Sequence, residues 1–375
     1  MEFRLLETEE HWKTRALWEE VFGEDTASFL DYYYEVKASD NVIYIAQNEE
    51  RDICSMLQLN PYMLHVGSEE FCCSYIIAVA TKEYYRKRGL MRELLYISLK
   101  AMYQRGEILT FLMPAAEAIY RPFDFRFVYD QRQGMICGKN SDNGRYTVRR
   151  AGADDCAAMA EFAAAELSSY QVYAKRNKAY YSVMLKEQES EQGGCLLVHA
   201  GDDLVGFFAY AEEAEYIIRE PLFREGHDEA FLHAVYQLTG DESKEVKCYG
   251  IGAAADKVGC KPNIMFRILH PESVFEVMVT RRALNLTLRI SDPIIAENNC
   301  CLHLSGEAGS HVRADKQHIE QDNDTISIAA LTSLLFGYKG AAEITAEEGV
   351  DLAPDAVIQL EAIKPLDKIF LNEVV

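Results

Sequence analysis

YYRKRGLM, residues 84–91, sets three cations, Arg86, Lys87 and Arg88, directly before Gly89 in a chain whose formal net charge is −22. The stretch lies between an apolar run, YIIAVAT (75–81), and a periodic one, LMRELLYISLKAMYQ (90–104). That succession predicts the order strand, turn, helix. A helix N-terminus carries about half a positive charge and several N–H groups without intrahelical partners. Gly89 lets a ligand come close to the backbone, because no Cβ stands in the way, and the cations add charge-assisted bonds. The stretch therefore reads as a cradle for a pyrophosphate. No GKS or GKT follows, which argues against a P-loop, and the absence of GxGxxG argues against a dinucleotide fingerprint. A helix start with a purely structural role is the plain alternative.

Working outward, three segments separate. Residues 1–143 open with the amphipathic stretch HWKTRALWEEVFG, whose apolar residues are Trp12, Leu17, Trp18, Val21 and Phe22. Strands NVIYIAQ and ICSMLQL follow across the turn NEERD, then the strand–turn–helix unit and the buried-looking strand ILTFLM. Residues 144–270 repeat this order of elements: YTVRRA, two helical stretches, CLLVHA, LVGFFAYA, then EYIIREPLFREG before the helix DEAFLHAVYQL and the strand EVKCYGI. Where the first copy has its cationic turn, the second has Glu220, Pro221 and Glu225, so it should not hold the same ligand. Residues 271–375 read as an α+β module. ALNLTLRIS alternates strictly, with Leu284, Leu286, Leu288 and Ile290 on one face, and DAVIQLEAI reads as a helix capped by Asp355. The apolar pattern continues through the tail IKPLDKIFLNEVV, which reads as held rather than frayed.

A chain of 375 residues with no low-complexity segment predicts two or three globular domains. Its apolar runs are strand-sized, well short of the ~20 residues of a membrane span, and the start has no apolar signal core. The ten cysteines form no CxxC, which predicts a reducing cytoplasm and neither zinc nor a disulfide framework. The nine histidines are dispersed, and no ligand cluster points to a metal. The acidic balance argues against nucleic acid and anionic membrane as partners and suits a cationic substrate.

Arg86-x-x-Gly89-x-Met91, after a strand and opening a helix, resembles the acetyl-CoA motif of the Gcn5-related N-acetyltransferases. Met91 stands where that family usually has Gly or Ala, and the Eis-type branch (enhanced intracellular survival) departs in the same way. LWEEVFGEDTASFLDYYY near the start and PAAEAIYRPFDFRFV at 114–128 also resemble that branch. So does the layout: an acetyltransferase copy (1–143), a degenerate copy (144–270) and a module similar to sterol carrier proteins (271–375). The resemblance implies an α/β fold with tandem acetyltransferase units and an α+β C-terminal domain. It implies acetyl-CoA as cosubstrate, no metal, and a homo-oligomer, since family members are hexamers. It implies that Val79, Ala80 and Thr81 bind the pantetheine arm through their backbone. Lys87, Arg88, Gly89, Leu90, Met91 and Arg92 would hold the pyrophosphate with Arg86 beside them, and Ala115 and Ala116 would line the far side.

Acetylating an amine poses two proton problems. An alkylamine of pKa about 10.4 is neutral in roughly one molecule in two thousand at pH 7, so a base or a site that lowers its pKa is needed. The departing thiolate gains from an acid. Tyr120, just past ILTFLMP, is the candidate acid, the role of the family's IY tyrosine. The resemblance assigns the base to the carboxylate of the last residue, here Val375; Glu24, Asp25, Asp31 and Glu117 are other candidates. Aminoglycosides, polyamines and lysine side chains fit as cationic acceptors. A lipid carrier and a non-catalytic acyl-CoA-binding regulator are the alternatives from other classes.

Overall fold

The computed structural model describes residues 1–141, 144–212, 215–250, 258–317 and 324–373. In the first copy, β1 (Glu2–Leu5), β2 (Val42–Gln47), β3 (Ile53–Val66), β4 (Glu69–Thr81) and β5 (Leu109–Leu112) lie side by side in chain order. Helices α1 (Arg15–Val21) and α2 (Ala27–Tyr32) connect β1 to β2. α3 (Leu90–Gln104) crosses from β4 to β5, and α4 (Glu117–Tyr120) precedes β6 (Arg126–Cys137). The helix expected at 90–104 has these same bounds. It buries Leu90, Leu94, Leu95, Leu99 and Met102 along one face, the stripe a 3.6-residue repeat dictates. Trp12 corrects an expectation: it lies on a 3₁₀ turn and is 65% exposed, while Leu17 and Trp18 are buried.

The second copy repeats the plan with β7 (Thr147–Arg150), α5 (Cys156–Leu167), β8 (Val172–Ala174), α6 (Lys178–Ser190), β9 (Gly194–Ala200) and β10 (Asp203–Glu212). β11 (Tyr216–Phe223), α7 (Asp228–Thr239), β12 (Glu245–Tyr249) and β13 (Val258–Ile268) complete it. The main sheet runs β1-β2-β3-β4-β5-β13-β6-β12-β11-β10-β9-β7. The two copies thus face each other in mirror order across a centre where closing strands are exchanged. β13, from the end of the second copy, pairs with β5 of the first, and β6 of the first pairs with β12 of the second. β13 went unread in the sequence because Pro262 interrupts it. The structure accommodates that proline at a register shift between Pro262 and Ile264, where a missing N–H does least harm.

The third segment packs α8 (Pro271–Glu276), β14 (Val279–Thr280), β15 (Leu284–Ser291), β16 (Cys301–Gly306), β17 (Arg313–Gln317), β18 (Thr325–Ser327) and α9 (Ile328–Leu335) into one core. α10 (Ala341–Ile344), α11 (Pro354–Leu360), β19 (Ile363–Lys364) and β20 (Ile369–Phe370) follow. Its sheet runs β17-β16-β15-β18, and β15 buries Leu284, Leu286, Leu288 and Ile290 as the alternation predicts. Asp355 does not cap α11: Ala353 does, with Pro354 in the first turn. The tail is held. β20 pairs in parallel with β8, which pairs with the end of β3, and Leu371 is fully buried. Val375 lies outside the described residues.

Candidate functional site

β4 carries one residue too many. Its register against β3 runs from Ile77 opposite Gln58 to Ala80 opposite Met56, so Ala78 and Val79 together face Leu57. Ala78 takes up the extra length at φ 48°, a bulge that re-aims the strand's end. On its other edge β4 pairs with β5 at Tyr75 and Phe111, whose rings stack at 4.7 Å. Beyond that pair the two parallel strands share no register among the described residues. The edge of β4 containing Val79, Ala80 and Thr81 therefore borders a wedge instead of a neighbouring strand.

The cationic turn closes the wide end of this wedge. Lys87 (φ 61°) and Gly89 (φ 81°) are both left-handed, and Gly89 caps α3 without a side-chain bond. The first bond across the helix start is Glu93 N–H to the Gly89 carbonyl. The N–H groups of Leu90, Met91 and Arg92 consequently have no partner among the described residues. Arg86 donates from Nε to the Thr81 carbonyl (3.2 Å), and the Arg88 guanidinium lies 4.6 Å over the Tyr84 ring. Backbone donors, cations and an open strand edge fit the pyrophosphate and pantetheine of a coenzyme A thioester. Ala115 and Ala116 are exposed in the link from β5 to α4.

Tyr120 ends α4 and is 8% exposed, with its ring edge-on to Phe125. Its hydroxyl makes no hydrogen bond among the described residues, and burial pushes the phenol up to about 12. Tyr120 follows β5, which borders the wedge whose apex is the Tyr75–Phe111 pair. The other candidate bases are engaged locally: Asp25 accepts from the Trp18 indole (2.6 Å), Asp31 pairs with Arg15 (2.6 Å) and Glu117 with Arg121 (2.8 Å). Glu24 is exposed.

Behind the apex lies a cavity of about 310 Å³ that both copies and the tail line. Tyr62 lines the cavity, and its ring lies 5.9 Å from those of Tyr75 and Phe111. Lys37 donates to the Tyr62 hydroxyl (3.2 Å), and burial lowers the lysine's pKa. Glu187 accepts from the Tyr32 hydroxyl (3.1 Å), and burial pushes its carboxyl up to about 7. Glu220 was expected in the turn of the second copy. It sits instead inside β11 at φ 47°, the counterpart of Ala78, and its carboxylate meets Arg176 and Tyr180. The second turn itself is residues 224–227, against 82–89 in the first. It contains Glu225, and α7 begins with Asp228 and Glu229. A shorter, acidic turn fits no pyrophosphate. The cavity residues come from segments far apart in the chain, and no local pattern marks them.

Residues 2–128 match the acetyltransferase (GNAT) domain model, and residues 275–374 match the sterol carrier protein domain model. The chain carries a GNAT acetyltransferase domain and a sterol carrier protein domain. Acetyl-CoA follows as the cosubstrate that a GNAT domain implies. Solved structures share this acetyltransferase's architecture from end to end. A probable N-acyltransferase from Enterococcus faecalis V583 is 16% identical over 100% of this chain and 99% of its own, with a TM-score of 0.82. A GCN5-related N-acetyltransferase from Anabaena variabilis ATCC 29413 is 15% identical, with full coverage of both chains and a TM-score of 0.83. Eis1 from Mycobacterium abscessus is also 15% identical with full coverage, at a TM-score of 0.74. At such identities the likeness speaks for the fold. No curated protein matches the chain. Among the described residues no group of ligating side chains could hold a metal, and no helix is long and apolar enough to cross a membrane.

Proposed function

We propose that this acetyltransferase moves the acetyl group of acetyl-CoA to a primary amine of a cationic substrate, an aminoglycoside, a polyamine or a lysine side chain. The observation that carries the reading is the cationic turn on the open edge of β4, with the acidic, tail-lined cavity one packed ring, Tyr62, away from the Tyr75–Phe111 pair. The thioester enters from the cationic turn, and the amine from the cavity. The backbone of Val79, Ala80 and Thr81 holds the pantetheine arm, Arg86 to Arg92 hold the pyrophosphate, and Ala115 and Ala116 flank it. The amine attacks directly, Tyr120 protonates the leaving sulfur, and the Val375 carboxylate faces the amine, as its base or as the charge that orients it. Catalysis belongs to residues 1–143, with 144–270 and 271–375 completing the acceptor side. The working form is a cytoplasmic homo-oligomer without nucleic-acid or membrane partners. CoA-thiol release screened over aminoglycosides, polyamines and lysine peptides tests the reading; no release with any of them overturns it.

Arg88→Glu should weaken CoA binding roughly tenfold to a hundredfold. It replaces a charge-assisted bond, worth about 1.5–3 kcal/mol, with repulsion at a helix N-terminus. Glu225→Arg in the second copy should leave affinity unchanged. Calorimetry with CoA measures both, and an unaltered Arg88→Glu affinity removes the cradle.

The chain end gives a second test. Val375→Ala keeps the carboxylate and should retain most activity. Deleting Val375 shifts the charge by up to ~3.5 Å, more than a hydrogen bond tolerates, and a C-terminal tag replaces the carboxylate by an amide. Both should lower kcat while CoA affinity stays as it is. Equal kcat in N-terminally and C-terminally tagged protein would move the base elsewhere.

A further inference from the structure

Arg176 is fully buried and serves two carboxylates at once. Its Nη2 donates to Glu373 Oε1 at 2.9 Å, and its Nε lies 3.3 Å from Glu220 Oε2. Glu220 also accepts from the Tyr180 hydroxyl, so its needs are met within the protein. Glu373 is not so provided. Its Oε2 is buried and has no hydrogen-bond partner among the described residues. It lines the acceptor cavity, and its side chain is 1% exposed. Lys37, which also lines the cavity, is the other cation whose charge bears on Glu373, and it donates to the Tyr62 hydroxyl, so Oε2 is left without a donor among the described residues.

Other orphaned atoms in the same cavity point the same way. Gln188 Oε1 and Asn41 Oδ1 are further buried acceptors without partners in its lining, beside the amide donor Asn372 Nδ2. An unsatisfied buried polar atom costs about 1–3 kcal/mol, so a cavity rich in bare acceptors selects a ligand rich in N–H groups. An ammonium offers three.

We infer that Glu373 is the residue that receives the substrate's ammonium at Oε2 and takes its first proton. This rests on the transfer reading above. In the step, R–NH₃⁺ passes a proton to the Glu373 carboxylate, leaving R–NH₂ and a neutral carboxyl. The amine lone pair forms the C–N bond at the thioester carbonyl, and the C–S bond then breaks. The sulfur takes the Tyr120 proton, the nitrogen's second proton restores the phenol, and Glu373 returns its proton to water.

The charged groups that bear on Glu373 are Arg176, Glu220 and Lys37. The phenols of Tyr62, Tyr75, Tyr129 and the Tyr180–Tyr181 pair surround it, all raised by burial and so neutral at working pH. Burial likewise pushes the Glu373 carboxyl up to about 7. The sign follows: activity rises with pH through about 7 as Glu373 ionises.

The test is thiol release against pH in the full chain, with an amine taken from the screen. Glu373→Gln keeps the side chain's shape and an oxygen for Arg176 but cannot take a proton. It should lower kcat/KM about a hundredfold and abolish the rising limb near pH 7, with CoA affinity unchanged. Glu373→Asp should restore the limb at a reduced rate, which a purely structural role would not do. A Glu373→Gln enzyme that keeps the wild-type limb and rate overturns the assignment alone. Wild-type protein that releases no thiol with any amine overturns the transfer reading and the assignment with it.

Discussion

Tyr120→Phe is expected to lower kcat by roughly 10²–10⁴-fold and to leave CoA affinity and stability nearly unchanged. The change removes one oxygen and keeps the ring that packs against Phe125. That hydroxyl has no hydrogen bond to lose among the described residues, so folding has little stake in it. Catalysis has more. With the phenol pushed up to about 12 and a thiol near 8.5, full transfer to a finished thiolate is uphill by roughly 5 kcal/mol. In the transfer proposed above, Tyr120 therefore works while the C–S bond is breaking, by hydrogen bonding to the sulfur and yielding its proton as the nitrogen loses one. An acid of this kind stays protonated across the whole working range. The wild-type pH profile should show no falling limb from Tyr120 below about pH 11. Steady-state thiol release and CoA titration measure both quantities, and normal turnover by the phenylalanine enzyme would make Tyr120 a packing residue.

The strand–turn–helix unit was legible because it is local. Strand, turn, glycine and helix are contiguous from Tyr75 to Gln104, and the helix bounds follow from one apolar stripe. The acceptor side was not. Arg176 and Glu373 meet across 197 positions, and Tyr32 and Glu187 across 155. Each of these residues reads, on its own element, as an ordinary polar residue. Glu220 shows the limit most clearly. The duplication was visible, but its alignment was off by a few residues. A carboxylate assigned to the turn in fact occupies the bulge, where it lines the cavity. β13 was missed for a related reason. A strand broken by Pro262 is recognisable only beside the two strands that flank it, β5 and β6.

Arg267→Met should destabilise the protein by about 3–5 kcal/mol, the range for breaking a buried ion pair. Arg267 is fully buried, near the end of β13, and its Nη2 reaches Asp292 Oδ1 at 2.6 Å; neither side chain touches solvent. Its Nη1 donates to the Ile268 carbonyl and its Nε to the Phe123 carbonyl, both at 3.0 Å. Methionine fills the volume but leaves the Asp292 carboxylate without its cation in a dry site. Removing Asp292 as well would not repair the damage. That carboxylate also accepts from the Ile294 and Ile295 N–H groups and from Asn298 Nδ2, each at 2.9 Å. The double change Arg267→Met with Asp292→Asn should therefore stay destabilised, yet cost less than the sum of the two single changes, because the pair shares one interaction. Urea denaturation of the three variants measures this, and an unchanged Arg267→Met midpoint would show that the pair carries no stability. The site feels the same bond. Phe123 closes the turn directly after Tyr120, so an arginine from the exchanged strand fixes where Tyr120 stands. Below the denaturation midpoint, Arg267→Met should lower kcat more than it lowers CoA affinity. Its cradle for the cofactor is built on β4 and α3, which Arg267 does not touch.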